Sequence, residues 1–179
     1  PEEADAALAR LVKTTETQVV EGLNGGLPFR EDGYAYAIDL ANTMRAAARV
    51  DNRPLFNRAY KMIEADFLRA STDDERARHT VLWRYAPDQP PDASGAKETG
   101  VLAEALWVAY EQWGEPRHRK QALRVLEAYL RHGSWVSENR FLVKNYYDYQ
   151  ARRVSENTWL LNQMPHLVWR IGCATQDST

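Results

Sequence analysis

Apolar side chains recur every three to four residues through most of this chain, the period of helices that bury one face. Leu8, Leu11, Val12, Thr15 and Val19 outline a first stripe, and Tyr34, Ala37, Ile38, Ala41, Met44 and Ala48 a second. Phe56, Ala59, Ile63 and Phe67 make a third, Leu102, Ala105, Leu106, Ala109 and Trp113 a fourth, and Leu123, Leu126 and Leu130 a fifth. The pattern predicts helices over 4–22, 33–49, 54–70, 99–113, 116–132 and 157–171. Pro54 and Pro116 stand where a helix begins, and Gly133 stands where one stops. Pro165 interrupts the last stretch, which predicts a kink there or a start nearer Pro165. Val81, Trp83 and Tyr85 alternate with Leu82 and Arg84, a weak strand signal worth at most a lone hairpin.

The connections alternate in length. Long ones run over 23–32, 71–98 and 133–156, whereas 50–53 and 114–115 are tight joints. Antiparallel neighbours reverse direction at each joint, so the three long loops emerge at one end of the array and the joints at the other. Loops of this length in a helical domain are usually functional. A faint internal repeat, Ile63-Glu64-Ala65-Asp66-Phe67-Leu68-Arg69 against Leu126-Glu127-Ala128-Tyr129-Leu130-Arg131, agrees with a unit of two helices repeated along the chain. The expected fold is an all-α antiparallel helical-hairpin array forming one domain over 1–179.

Composition narrows the class. With 179 residues, 44% hydrophobic and 27% charged, the chain is long enough for one well-buried core. A net charge of -2 leaves no dominant basic face, which argues against a nucleic-acid partner. No apolar run reaches the roughly 20 residues of a membrane span. Six Trp and nine Tyr outnumber four Phe, favouring flat rings that also carry a polar handle.

The stretch Glu31-Asp32-Gly33-Tyr34-Ala35-Tyr36-Ala37-Ile38-Asp39-Leu40-Ala41, followed by Asp51-Asn52-Arg53-Pro54-Leu55-Phe56, resembles the first conserved segment of glycoside hydrolase family 8. Ala105-Leu106-Trp107-Val108-Ala109-Tyr110-Glu111-Gln112-Trp113-Gly114 is similar to that family's second helix pair, and Trp-Gly-Glu-Pro-Arg joins helices in six-hairpin α/α toroids acting on sugars. The resemblance covers 24–132 and implies half of a toroid, or a truncated one, that hydrolyses or binds a polysaccharide or oligosaccharide, with a second chain or segment completing the ring. It also implies a secreted or periplasmic protein. On the family's Ser-Glu-Gly motif lie Glu31-Asp32-Gly33, making Asp32 the acid, one methylene shorter than the family's glutamate, with Glu31 beside it. The family's Asp-rich segment corresponds to Ala96-Lys97-Glu98-Thr99, a clear departure.

Glycosidic cleavage usually requires one protonated and one ionised carboxyl group, about 5–5.5 Å apart for retention or about 6.5–9.5 Å for inversion. The candidate catalytic carboxyls are Asp32, Glu31, Asp92 and Glu98. Each pair also flanks a predicted helix start, where acids simply favour the helix dipole, and Ser94 or Thr99 is a possible cap. The third long loop holds a polar and aromatic cluster, Asn145-Tyr146-Tyr147-Asp148-Tyr149 then Ser155-Glu156-Asn157-Thr158-Trp159, of which Tyr146, Tyr147, Asp148, Asn157 and Trp159 with Trp83 suit sugar rings and their hydroxyl groups. The competing role for the aromatics is to wedge the loop onto the core. His79, His118, His132 and His166 lack metal-ligand spacing and are expected at the surface or at helix ends, so no metal or other cofactor is called for. Cys173 carries no catalytic signature, and Asn24-Gly25-Gly26 is a turn without a phosphate-loop lysine. A catalytically silent hairpin module that binds a glycan or a partner protein is the alternative to a hydrolase.

Overall fold

The computed structural model describes residues 26–176. The helix predicted over 4–22 and part of the first long connection lie outside them. Five α-helices fill the described chain: α1 (Ala37–Arg49), α2 (Arg53–Met62), α3 (Ala96–Trp113), α4 (Pro116–Arg131) and α5 (Pro165–Gln176). α2 continues as a π-helical turn over Ile63–Phe67, and a single 3-10 turn spans Leu160–Asn162.

Local chemistry sets the helix ends. The Asn52 side chain accepts a hydrogen bond from the Leu55 amide (3.0 Å) and starts α2, with Pro54 in its first turn. Gly114 ends α3 in the left-handed region (φ 68°), which lets the chain reverse within two residues and enter α4 at Pro116. α1 buries Ala37, Leu40, Ala41, Met44, Ala47 and Ala48 on one stripe, whereas α3 is buried from Thr99 to Ala109 almost all round. Burial on every side marks α3 as the centre of the array. It packs against α1 and α4 and also meets α5, while α2 packs on α1. The result is a two-layer array of antiparallel hairpins: α1, α3 and α5 in one layer, α2 and α4 in the other.

The array is not strictly all-α. The long connections carry seven short strands: β1 (Ala35–Tyr36), β2 (Arg84–Tyr85), β3 (Ala93–Gly95), β4 (Gly133–Ser137), β5 (Arg140–Val143), β6 (Tyr146–Asp148) and β7 (Arg153–Val154). β1 pairs with β2, β3 with β6 and β6 with β7, all antiparallel, while β4 and β5 form a local hairpin. The segment expected to make at most a lone hairpin instead bridges three ways: Val81 to Leu68, Leu82 to Ser94, and Arg84–Tyr85 to the loop before α1. The predicted helix start at 33 gives way to Ala37 because Ala35 and Tyr36 are taken by that pairing. Likewise 157–164 is not α-helical, and the last helix begins at Pro165.

The long loops therefore precede α1, α3 and α5, and their strands lace them together over the amino-terminal ends of one helix layer. Tight turns at 50–52 and 114–115 close the opposite end.

Candidate functional site

Between the second and third laced loops opens a cleft of about 520 Å³. Glu98 and Lys97 from the first turn of α3, Asp92 just before β3, Trp83, and Tyr146 and Asp148 of β6 line it, with Trp159 and Leu161 forming the outer wall. Six sequence candidates thus converge: Trp83, Asp92, Glu98, Tyr146, Asp148 and Trp159. Asn157 lines an adjoining depression of about 290 Å³ that shares Tyr146 and Asp148. A polar hollow of about 350 Å³ on the other side shares Asp92 and adds Tyr34, Arg69 and Arg84.

Glu98 is the third residue of α3 and folds back toward Gly95, which precedes the helix. A Cβ on Gly95 would stand 1.6 Å from Glu98 Oε2, so only glycine leaves room for this carboxyl group. Burial raises the Glu98 pKa above the ordinary carboxylate value, opposed by its own backbone amide and by Lys97. Asp92 is held very differently. Its Oδ1 accepts from the Trp83 indole (2.9 Å) and the Ala93 amide (2.7 Å), and its Oδ2 accepts from Arg84 Nε (3.1 Å) and Nη2 (2.9 Å). The Arg84 guanidinium in turn lies over the rings of Tyr34 (4.1 Å) and Trp83 (4.4 Å). This chain of contacts fixes the orientation of the Trp83 ring in the cleft.

Asp32 and Glu31 do not line the cleft. Asp32 lies in the turn before β1, where its carboxylate accepts from the Tyr36 hydroxyl (2.6 Å) and the Tyr34 amide (3.0 Å). Those two donors, the hydroxyl foremost, pull its pKa below the usual carboxylate range. It still belongs to the same rim, because the Tyr36 ring meets Trp83 edge-on at 5.8 Å. Glu31 is exposed beside it.

Tyr147 departs from expectation. Alternation along β6 turns Tyr146 and Asp148 to the cleft and Tyr147 inward, where it is buried, stacks edge-on with Tyr149 (5.6 Å) and donates its hydroxyl to Asp74. Ser94 and Thr99 do not cap α3 with their side chains. Thr99 Oγ1 donates to the Gly95 carbonyl (2.7 Å), and Ser94 Oγ bonds His132 Nε2 (2.8 Å). His118 and His132, expected at the surface or at helix ends, lie at the two ends of α4 but are buried.

Lys97, Leu161 and Asn162 line the cleft beyond the sequence candidates, and Asn145 joins them from the polar and aromatic cluster. Leu161 and Asn162 fell inside a stretch predicted as helix. Asn162 is buried, donates to Asn145 Oδ1 (2.8 Å), and accepts from the Tyr129 hydroxyl at its backbone carbonyl (2.6 Å), so it anchors the outer wall. Among the described residues, no cluster of His, Cys, Asp and Glu could hold a metal ion. None of the described helices is long and apolar enough to cross a membrane.

No protein-family model matches the sequence, and no curated protein is significantly similar to it. Solved structures are similar in fold. PssZ from Listeria monocytogenes superposes with a TM-score of 0.67 at 15% identity, over 88% of this chain and 48% of that one. The endo-β-1,4-glucanase CMCax from Acetobacter xylinum gives 0.55 at 15% identity, over 64% and 35%. Cel10 from Klebsiella pneumoniae, an endoglucanase and family 8 glycosyl hydrolase, gives 0.56 at 16% identity, over 72% and 44%. The matched region spans about half of those chains or less. In its described part, this chain carries a portion of the helical-hairpin fold found in family 8 glycosidases.

Proposed function

We propose that the cleft takes a polysaccharide or oligosaccharide and that Glu98 is the proton donor for cleavage of a glycosidic bond. The observation that carries this reading is a carboxyl group whose pKa is raised by burial, set at the floor of a cleft walled by Trp83, Tyr146 and Trp159. A general acid must stay protonated near neutral pH, and burial acts in that direction. Asp92, its charge paired with Arg84 and both oxygens filled by donors, holds the Trp83 indole in place as a stacking face for the sugar ring. Asp148 Oδ1 is occupied by the Gln150 and Ala151 amides (2.9 and 2.8 Å), leaving Oδ2 as an acceptor for sugar hydroxyls. The aromatic faces stack on pyranose rings. Asp32, held in its ionised form away from the cleft, is unsuited to donating a proton and orients Tyr36 instead.

A panel of β-linked polysaccharides tests this by release of reducing ends. Glu98→Gln should lower turnover by about 10²-fold or more, while Asp32→Asn leaves it within severalfold. Equal activity of Glu98→Gln and the parent protein refutes the assignment. The second reading, a silent glycan-binding module, is favoured by the departure at Asp32, the position the family gives to its acid. Glycan binding without any turnover, unchanged by Glu98→Gln, would establish it.

A further inference from the structure

A second recess lies on the outer helix layer, remote from the laced rim. α2 and α4 leave between them a groove of about 480 Å³. Both helices begin at the end of the array closed by tight turns, and the groove follows the first half of α4. Its lining carries Lys61, Arg117, Lys120 and Arg124 against one carboxylate, Glu64. That local excess of positive charge opposes the chain's net charge of -2. Arg117 is tied to Glu115 (2.7 Å), but Lys61, Lys120 and Arg124 form no salt bridge among the described residues. Glu64 faces the Tyr60 hydroxyl.

The groove also contains a buried polar group with nothing to bond. His118 is only 2% exposed, yet neither ring nitrogen has a hydrogen-bond partner. The nearest carboxylate oxygen, Glu115 Oε2, is 3.9 Å from Nε2. Phe56 and Trp113 hold the ring at 5.2 and 5.7 Å between centroids, so it cannot swing out to water without disturbing the core. An unsatisfied buried imidazole costs on the order of 1–3 kcal/mol and calls for a missing partner. His118 sits in the first turn of α4, where the helix dipole adds to the positive potential.

We propose that the groove between α2 and α4 is an oxyanion site for a phosphate-class dianion, held by Lys61, Lys120 and Arg124 with His118 beneath it. The test uses the full chain in titrations followed by NMR, reading the His118 ring Cε1–H and the amides of α2 and α4 at constant ionic strength. Inorganic phosphate, glucose 6-phosphate and glucose are the probes, with chloride as the ionic control. Saturable shifts with phosphate or its ester, absent with glucose and chloride, are expected. The surface pair Lys61→Gln/Arg124→Gln should raise the apparent Kd at least about tenfold while circular dichroism stays unchanged. Equal affinities for the two phosphates identify the free dianion as sufficient, and tighter binding of the ester adds the sugar to the site. Shifts reproduced by chloride, or phosphate binding unaltered in the folded double variant, overturn the proposal.

Discussion

Acidification should weaken this fold through His132. The residue ends α4 and is 2% exposed, with both ring nitrogens engaged. Nδ1 lies 3.1 Å from the Ala128 carbonyl, which can only accept, so Nδ1 carries the hydrogen. Nε2 is then bare and accepts from the Ser94 hydroxyl at 2.8 Å. A second proton would have to displace that hydroxyl inside the core, and burial pushes the His132 pKa down to about 4 from 6.5. Between those values the unfolded chain takes up a proton that the folded protein refuses, so stability rises with pH across the window and is lost as pH falls below 6.5. The full gap is worth about 3 kcal/mol, of which about 2 kcal/mol should be lost between about pH 7.5 and pH 5. Urea denaturation of the parent protein and His132→Gln at both pH values isolates the effect, since other groups titrate alike in the two proteins. The parent should lose about 2 kcal/mol more than the variant. Equal losses, within about 0.5 kcal/mol, would refute the assignment of a neutral, locked imidazole.

Other outcomes follow from the cleft. Gly95→Ala sets a methyl group against Glu98 Oε2 and should displace the carboxyl, lowering turnover at least about tenfold with the fold intact by circular dichroism. Because the proposed acid would work in its protonated form and the Glu98 pKa is raised by burial, kcat/KM should fall on the alkaline side as Glu98 loses its proton. That limb should vanish in whatever residual activity Glu98→Gln retains. Tyr147→Phe removes the hydroxyl that Asp74 accepts and should cost about 1–2 kcal/mol in thermal or urea unfolding, yet leave glycan affinity unchanged because this ring faces the core. Calorimetric loss of affinity in that variant would show that β6 is oriented otherwise.

The helices were legible because their signals are local. Pro54, Pro116 and the apolar stripes place four of the five described helices, although the stretch read as helix to 70 leaves α-helical geometry after Met62 and turns extended at Leu68. The strands were not legible, since each is only two to five residues long and the pairings of β1 with β2 and of β3 with β6 join different loops. Ala35–Tyr36 reads as helix until Arg84–Tyr85 is placed beside it. Asn157–Gln163 likewise carries helix-compatible residues, but Thr158 and Gln163 are drawn to the Val143 backbone. The cleft was half legible for a related reason. Alternation in β6 separates Tyr146 and Asp148 from Tyr147, and a strand reading of that segment would have sorted them. Glu98 was named as an acid at a helix start, but its environment depends on Gly95, a neighbour whose missing side chain has no visible weight in a sequence pattern.

The lacing of the rim sets an order of assembly. Ala35 meets Tyr85, and Ser94 meets Tyr147, across about 50 residues of chain, whereas the α3–α4 hairpin closes across a two-residue joint. Short loops close early and long ones late. In a stopped-flow experiment, far-UV ellipticity should therefore recover before the proposed saccharide response of tryptophan emission returns, and the interval between the two signals is the time the rim takes to stitch itself.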